Sequence, residues 1–254
     1  WSFCACKARG IDGSQQQSPS PVWDDLFEQL AAADPYNRQK SIHNGNLLYN
    51  HSRPWIDHVS LQGYEDETPT LRAAYAKPLI WDEVRYEGTL PQSWGALSGQ
   101  EEADRFWWGA SLGVYTGHSE ALLRPAVADD EQPLWWAKGG DLIGSSPARI
   151  GWMRELFTAA GLVPLDFGQL VPTQEYFRQA GSPVANQLSA PGAFYYLHFS
   201  RTGFWRVPLP NSTRGWRLLR LDFWAMASTE THLPPGVQEA NVEIDSLPAN
   251  VIIA

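Results

Sequence analysis

The run Lys77-Pro78-Leu79-Ile80-Trp81-Asp82-Glu83 is nearly continuous in apolar residues and stops abruptly at two acids. A strand with one face in water alternates apolar and polar residues, whereas a strand covered on both faces does not. The run therefore predicts an inner strand of a parallel sheet, which requires crossover helices on either side. The flanking sequence supplies them. Val22, Leu26, Phe27, Leu30 and Ala31 recur at helical spacing after Ser20-Pro21, and a second helix is expected over 69–76. Ser98-Gly99-Gln100-Glu101 reads as a capping box ahead of Phe106, Trp107 and Ala110. Ser146-Pro147 opens a further helix with Ile150, Met153, Leu156 and Phe157 on one face, ended by Gly161. Short strands are predicted between these helices at 39–43, 57–62 and 113–117. The alternation implies an α/β unit over 22–161, with parallel strands in sequential order joined by right-handed crossovers.

Beyond residue 162 the pattern changes. Apolar runs at 193–199, 203–209, 216–223, 241–244 and 251–254 are short, separated by Pro, Gly and Asn, and free of helical periodicity. They predict an antiparallel β-sandwich domain over 162–254. Residues 1–21 show no apolar periodicity and carry a Ser/Gln/Pro stretch, so they read as a linker outside the fold.

A chain of 254 residues with 43% hydrophobic content can bury a sizeable core. Its net charge of −9 and lack of a basic run argue against a nucleic-acid partner. The longest uncharged apolar stretch, Phe106 to Thr116, is too short to cross a bilayer, so no membrane partner is expected. The only cysteines, Cys4 and Cys6, build neither a disulfide framework nor a zinc site. The first residue is Trp rather than Met, which suggests a processed, trimmed or incomplete product. A Trp-rich core accounts for most of the thirteen Trp, yet so many in an acidic chain favour a carbohydrate-facing protein, because Trp faces stack well on sugar rings.

Strand ends carry the candidate chemistry. In a (β/α)8 barrel the C-terminal ends of the strands line the active site, which makes Glu83 the leading candidate and Tyr86 and Glu87 on the next turn its neighbours. Pairing of these acids with Arg85 is the plainer alternative. Three other strands end in His43-Asn44, in Gln62 and in His118-Ser119-Glu120, so one polar rim would form if all four ends meet. Trp94, Trp135 and Trp136, on loops, are candidates for sugar stacking, while Asp129-Asp130-Glu131 reads as a solvated loop. His43, His51, His58 and His118 lack the spacing of a metal site, and no metal or other cofactor is expected. Phosphate-binding glycine loops and a GxSxG elbow are missing from the sequence.

RQKSIHN, RPWIDHVSLQ, KPLIWDEVRYEG, EEADRFWWGASLG running into VYTGHSE, LWWAKGGDLIGSSPARIGWMREL, and the C-terminal FYYLHFSRTGFWRVPLP, RLDFWAM and LPANVIIA together resemble a retaining (β/α)8 glycoside hydrolase. The resembled group is the apiosidase-like and putative endoglucanase family of clan A, with its small C-terminal β domain, over about residues 22–254. The resemblance implies a partial TIM barrel in which the strands ending at His43, Gln62, Glu83 and His118 are the fifth to eighth. It implies a poly- or oligosaccharide substrate, Glu83 as catalytic nucleophile, and His43, Asn44, Gln62, Tyr86, Glu87, His118, Glu120, Trp135 and Trp136 as substrate contacts. The general acid/base that ends the fourth strand in this family has no counterpart in the sequence. A retaining glycosidase needs two carboxyl groups about 5–5.5 Å apart, so two readings stand: a glycosidase in truncated form, or a non-catalytic carbohydrate-binding protein derived from one. A half-barrel also has open sheet edges, through which self-association is expected.

Overall fold

A computed structural model describes residues 2–4, 8–9, 15–16, 20–43, 48–124, 127–128, 142–159, 167–173, 178–179, 182–183 and 185–254. The chain divides into two compact units, 1–84 with 114–118 and 85–113 with 119–254.

The first unit is built on a five-stranded parallel sheet in the order Ser2–Cys4, Ser41–His43, Val59–Gln62, Leu79–Glu83 and Tyr115–Thr116. The four strands expected from the sequence are present, parallel and in sequence order. The segment assigned to a linker contributes a fifth strand, because Ser2–Cys4 pairs in parallel with Ser41–His43. A three-residue strand between polar segments carries no periodicity, and its partner rather than its own pattern makes it a strand. Helix Ser20–Ala33 begins two residues earlier than its apolar spacing predicts, with Pro21 at its second position. Its Phe27 ring stacks on Trp55 at 3.8 Å, and Trp23 Nε1 donates to Tyr49 OH at 3.1 Å, closing a cluster with Ile42 and Ile56. Helix Thr68–Tyr75 follows, and Thr68 Oγ1 accepts from the fully buried Trp81 Nε1 at 2.9 Å. The Lys77 ammonium is held by three carbonyls, those of His51, Arg53 and Ile56, at 2.6 to 2.9 Å. It thus closes the loop that leads into the Val59–Gln62 strand.

The second unit has a six-stranded antiparallel sheet, ordered Val171–Thr173, Ala185–Ala190, Phe194–Phe199, Ala249–Ile253, Trp216–Asp222 and Ala227–Leu233. Gly203–Pro208 and Glu239–Ile244 pair as a two-stranded layer over one face, sharing a core of Tyr195, Leu197, Trp216, Leu218, Val207, Val242 and Ile253. Helices Gly99–Ser111 and Ser146–Thr158 cover the other face through Trp107, Ala110 and Phe157, packed on Leu188, Phe194, Tyr196 and Ile252. Two helices read from the sequence as barrel crossovers thus bury their apolar stripes against the antiparallel sheet. The Ser98 capping box is present as expected, with Glu101 N donating to Ser98 Oγ and Glu101 Oε2 accepting from Ser98 N.

Three strands of this sheet, Val171–Thr173, Ala185–Ala190 and Ala227–Leu233, escape the sequence reading. Residues Ala227–Ser228-Thr229-Glu230-Thr231-His232 are exposed on both faces of an edge strand, so nothing selects for alternation. Ala185–Ala190 hides a Gln187 Nε2 to Ser189 Oγ hydrogen bond of 3.1 Å inside the sheet, and its polar letters mask its burial.

Candidate active site

Parallel pairing sets the C-terminal ends of the strands side by side, and in the first unit this gathers His43, Gln62, Asp82 and Glu83. Ser60 stands opposite both His43 and Ile80, and Leu61 stands opposite Trp81. The register then shifts: Gln62 stands opposite Glu83, leaving Asp82 as an extra residue. Regular alternation would send Glu83 to the face of Trp81, against helix Thr68–Tyr75. One extra residue reverses the face. Glu83 thereby joins His43, Ser60 and Gln62.

The resulting hydrogen bonds run in a line. His43 Nε2 lies 3.2 Å from Glu83 Oε2, and His43 Nδ1 lies 3.2 Å from Ser60 Oγ. Ser60 Oγ donates in turn to Asp82 Oδ2, a carboxylate oxygen 3.9 Å from His43 Nδ1. Ser60 is fully buried and His43 nearly so, whereas about a third of the Glu83 side chain is exposed. Glu83 and Asp82, whose side chain is 27% exposed, are therefore the members of the line open to solvent, and Glu83 is the more exposed of the two. His43, expected to touch sugar, turns its ring onto Glu83.

The Tyr115–Thr116 strand brings the next residues to the same sheet end. Gly117 N donates to Trp81 O at 2.9 Å, and a Cβ on Gly117 would come within 2.7 Å of Asp82 O. Only glycine permits that approach, and it sets the following His118 beside the strand that carries Glu83. His118 is half-buried. Two further histidines of this unit lie away from the line. His51 is fully buried against the Tyr75 ring, and burial together with the Lys77 charge pulls its pKa down to about 4. His58 is shifted down by burial as well, against the opposing charges of Asp82 and Asp57.

The other expected contacts fall in the second unit. Glu87 is buried and accepts from Ser145 N and Oγ at 2.7 and 2.8 Å and from Ser146 N at 2.8 Å. It satisfies the first amides of helix Ser146–Thr158. Burial works against its charge, yet these bonds outweigh that and hold its pKa below the ordinary value. Glu120 is likewise buried and accepts from Ile143 N and Gly144 N at 2.8 and 2.9 Å. A side chain on Gly144 would clash with both carboxylates. These acids, expected from the sequence to contact sugar, order backbone amides. Tyr86 is half-buried, its ring set edge-on to Trp94 at 5.4 Å, and Trp94 keeps 41% of its surface exposed. Asn44, Trp135, Trp136 and 129–131 lie outside the described residues.

Sequence reasoning named Asp82 and the Ser60 strand end, but not the line they form with His43 and Glu83. The signal was faint. Ser60 shows only as a polar residue two before Gln62, and the bulge has no signature in the letters.

No protein-family model and no curated protein matches this sequence. Solved structures do. A candidate glycoside hydrolase from Bacteroides vulgatus aligns with a TM-score of 0.72 at 24% identity, over 94% of this chain and 49% of its own. A structure described as a glycoside hydrolase aligns at 0.66 and 14% identity, over 92% and 61%. A glycoside hydrolase family 5 protein, also from Bacteroides vulgatus, aligns at 0.66 and 16%, over 92% and 59%. The chain spans about half to three-fifths of the length of these proteins, and at such identities the likeness is one of fold. The fold is that of glycoside hydrolases.

Proposed function

We propose that this chain carries the nucleophile-bearing half of a retaining clan A glycoside hydrolase barrel, apiosidase-like or endoglucanase-like, acting on a poly- or oligosaccharide. The observation that carries the reading is the seat of Glu83: a part-exposed carboxylate at the C-terminal end of an inner parallel strand, turned by a bulge toward His43. The fold likeness to glycoside hydrolases and the order of the strand-end motifs support this reading.

In the proposed first step a Glu83 oxygen attacks the anomeric carbon, the bond from that carbon to the leaving oxygen breaks, and a covalent glycosyl ester remains. A second carboxyl group must protonate the leaving oxygen and later activate water. In the resembled family that group ends the fourth strand. Here the strand beside Ser41–His43 is Ser2–Cys4, followed in sequence by Ala5-Cys6-Lys7, which contain no carboxylate. Glycosides whose leaving group departs as a stable anion do not need that proton, so they report on Glu83 alone.

The test uses 2,4-dinitrophenyl 2-deoxy-2-fluoro glycosides of glucose, xylose and galactose, whose phenolate leaves without protonation. Peptide mass spectrometry should find the fluorosugar on the peptide containing Glu83, and no adduct in Glu83→Gln. A label on any other carboxylate would overturn the assignment.

The carboxylate-free fourth-strand position also favours a second reading, a carbohydrate-binding protein without catalysis. Retention on insoluble polysaccharide with no release of reducing sugar, unchanged by Glu83→Gln, would select it over the first.

A further inference from the structure

We infer that Ser60 and Asp82 are positioning residues that fix the ring orientation and the tautomer of His43, and through His43 hold the Glu83 carboxylate in place; this rests on the reading of Glu83 as nucleophile. Proton counting carries the argument. A serine hydroxyl has one proton, and Ser60 gives it to Asp82 Oδ2, a carboxylate oxygen that can only accept. Ser60 Oγ then meets His43 Nδ1, 3.2 Å away, with a lone pair alone, so Nδ1 carries a hydrogen. The remaining ring nitrogen, Nε2, faces Glu83 Oε2 at 3.2 Å. A single proton lies between those two atoms.

The same contacts lock the ring. Turning the imidazole by half a revolution about Cβ–Cγ would present carbon atoms to Ser60 and Glu83, and would leave the fully buried Ser60 oxygen facing C–H. Without Ser60 and Asp82 both ring orientations and both tautomers become accessible, and the oxygen of Glu83 loses its one directional partner in the line. The groups that face His43 in this line are Ser60, Asp82 and Glu83, and His58 acts on the line from further off through its charge interaction with Asp82. An attacking atom displaced by a fraction of an ångström reacts far more slowly, which sets the scale of the expected effect.

The experiment compares wild type, Ser60→Ala, Ser60→Thr and Asp82→Asn by two readouts. The first is the 15N spectrum of the His43 ring in the folded protein, identified with a His43→Gln control. Wild type and Ser60→Thr should show a protonated Nδ1, and Ser60→Ala and Asp82→Asn a mixture of tautomers or exchange-broadened nitrogens. The second is the rate and pH profile of labelling by the dinitrophenyl fluoroglycosides. Ser60→Ala and Asp82→Asn should label about ten- to hundredfold more slowly with a displaced pH profile, and Ser60→Thr should restore most of the rate. Melting curves establish that each variant is folded. If wild type labels at Glu83 and the variants match it in rate, pH profile and His43 spectrum, the positioning role is wrong and the nucleophile assignment survives. If wild type does not label, the nucleophile assignment fails, and the His43 spectra alone decide whether Ser60 and Asp82 set its tautomer.

Discussion

Gln62 stands opposite Glu83 in the parallel ladder while Leu61 stands opposite Trp81, so Asp82 is an inserted residue and Glu83 faces the side of the sheet that regular alternation would deny it. Strand pairing at one position thus decides whether a carboxylate meets His43 or is driven toward the apolar layer around Trp81. The consequences for stability and pH response rest on other buried groups, each with its own measurement.

His51 should make the protein acid-sensitive. Its pKa in the fold, about 4, lies below the ordinary value of 6.5, so the unfolded chain takes up a proton first. Stability is therefore complete above about pH 6.5 and falls as the pH drops toward 4, by on the order of 3 kcal/mol. Urea unfolding of wild type and His51→Leu between pH 4 and 7 should show a shallower acid loss in the variant. Equal slopes would mean that His51 is not the titrating group.

Glu102 acts in the opposite direction. It is fully buried on helix Gly99–Ser111, and burial together with the charges of Glu87 and Glu120 pushes its pKa up to about 8 from 4.5. The contribution of its protonated form is complete below pH 4.5 and disappears as the pH rises through 8, a loss of roughly 3–5 kcal/mol across that range. Glu102→Gln, neutral throughout, should flatten the decline in unfolding free energy measured from pH 5 to 9.

Glu87→Ala should cost about 2–4 kcal/mol, because it strips the buried amides of Ser145 and Ser146 of their acceptor at the start of a helix. Amide hydrogen exchange should quicken at residues 145–148 ahead of the rest of the unit. Retained protection there would show that the carboxylate does not hold this helix end.

Trp107→Ala removes the largest fully buried side chain between the helices and the six-stranded sheet, where its ring centroid lies 5.8 to 6.2 Å from those of Trp152, Phe157, Tyr196 and Phe223. About 3–5 kcal/mol should be lost, read as a lower denaturant midpoint with an unchanged slope. A loss below about 1 kcal/mol would mean that the cluster repacks around the cavity.

By itself the sequence determined the parallel order of the first sheet, the capping box at Ser98, the helix at Ser146 and most of the antiparallel strands, because periodicity, caps and turn residues are local and are written into neighbouring letters. It also placed Glu83 at a strand end. Tertiary structure decided what the acids do. Glu87 and Glu120 read as open rim residues until their oxygens are seen to accept backbone amides from residues more than twenty positions away. The Ser2–Cys4 strand exists through its partner, and the helices expected to wrap a barrel spend their apolar stripes on the second unit's sheet. The Asp82–Ser60–His43–Glu83 line depends on a one-residue bulge, and a bulge is set by how two strands pair across space, which no local pattern records.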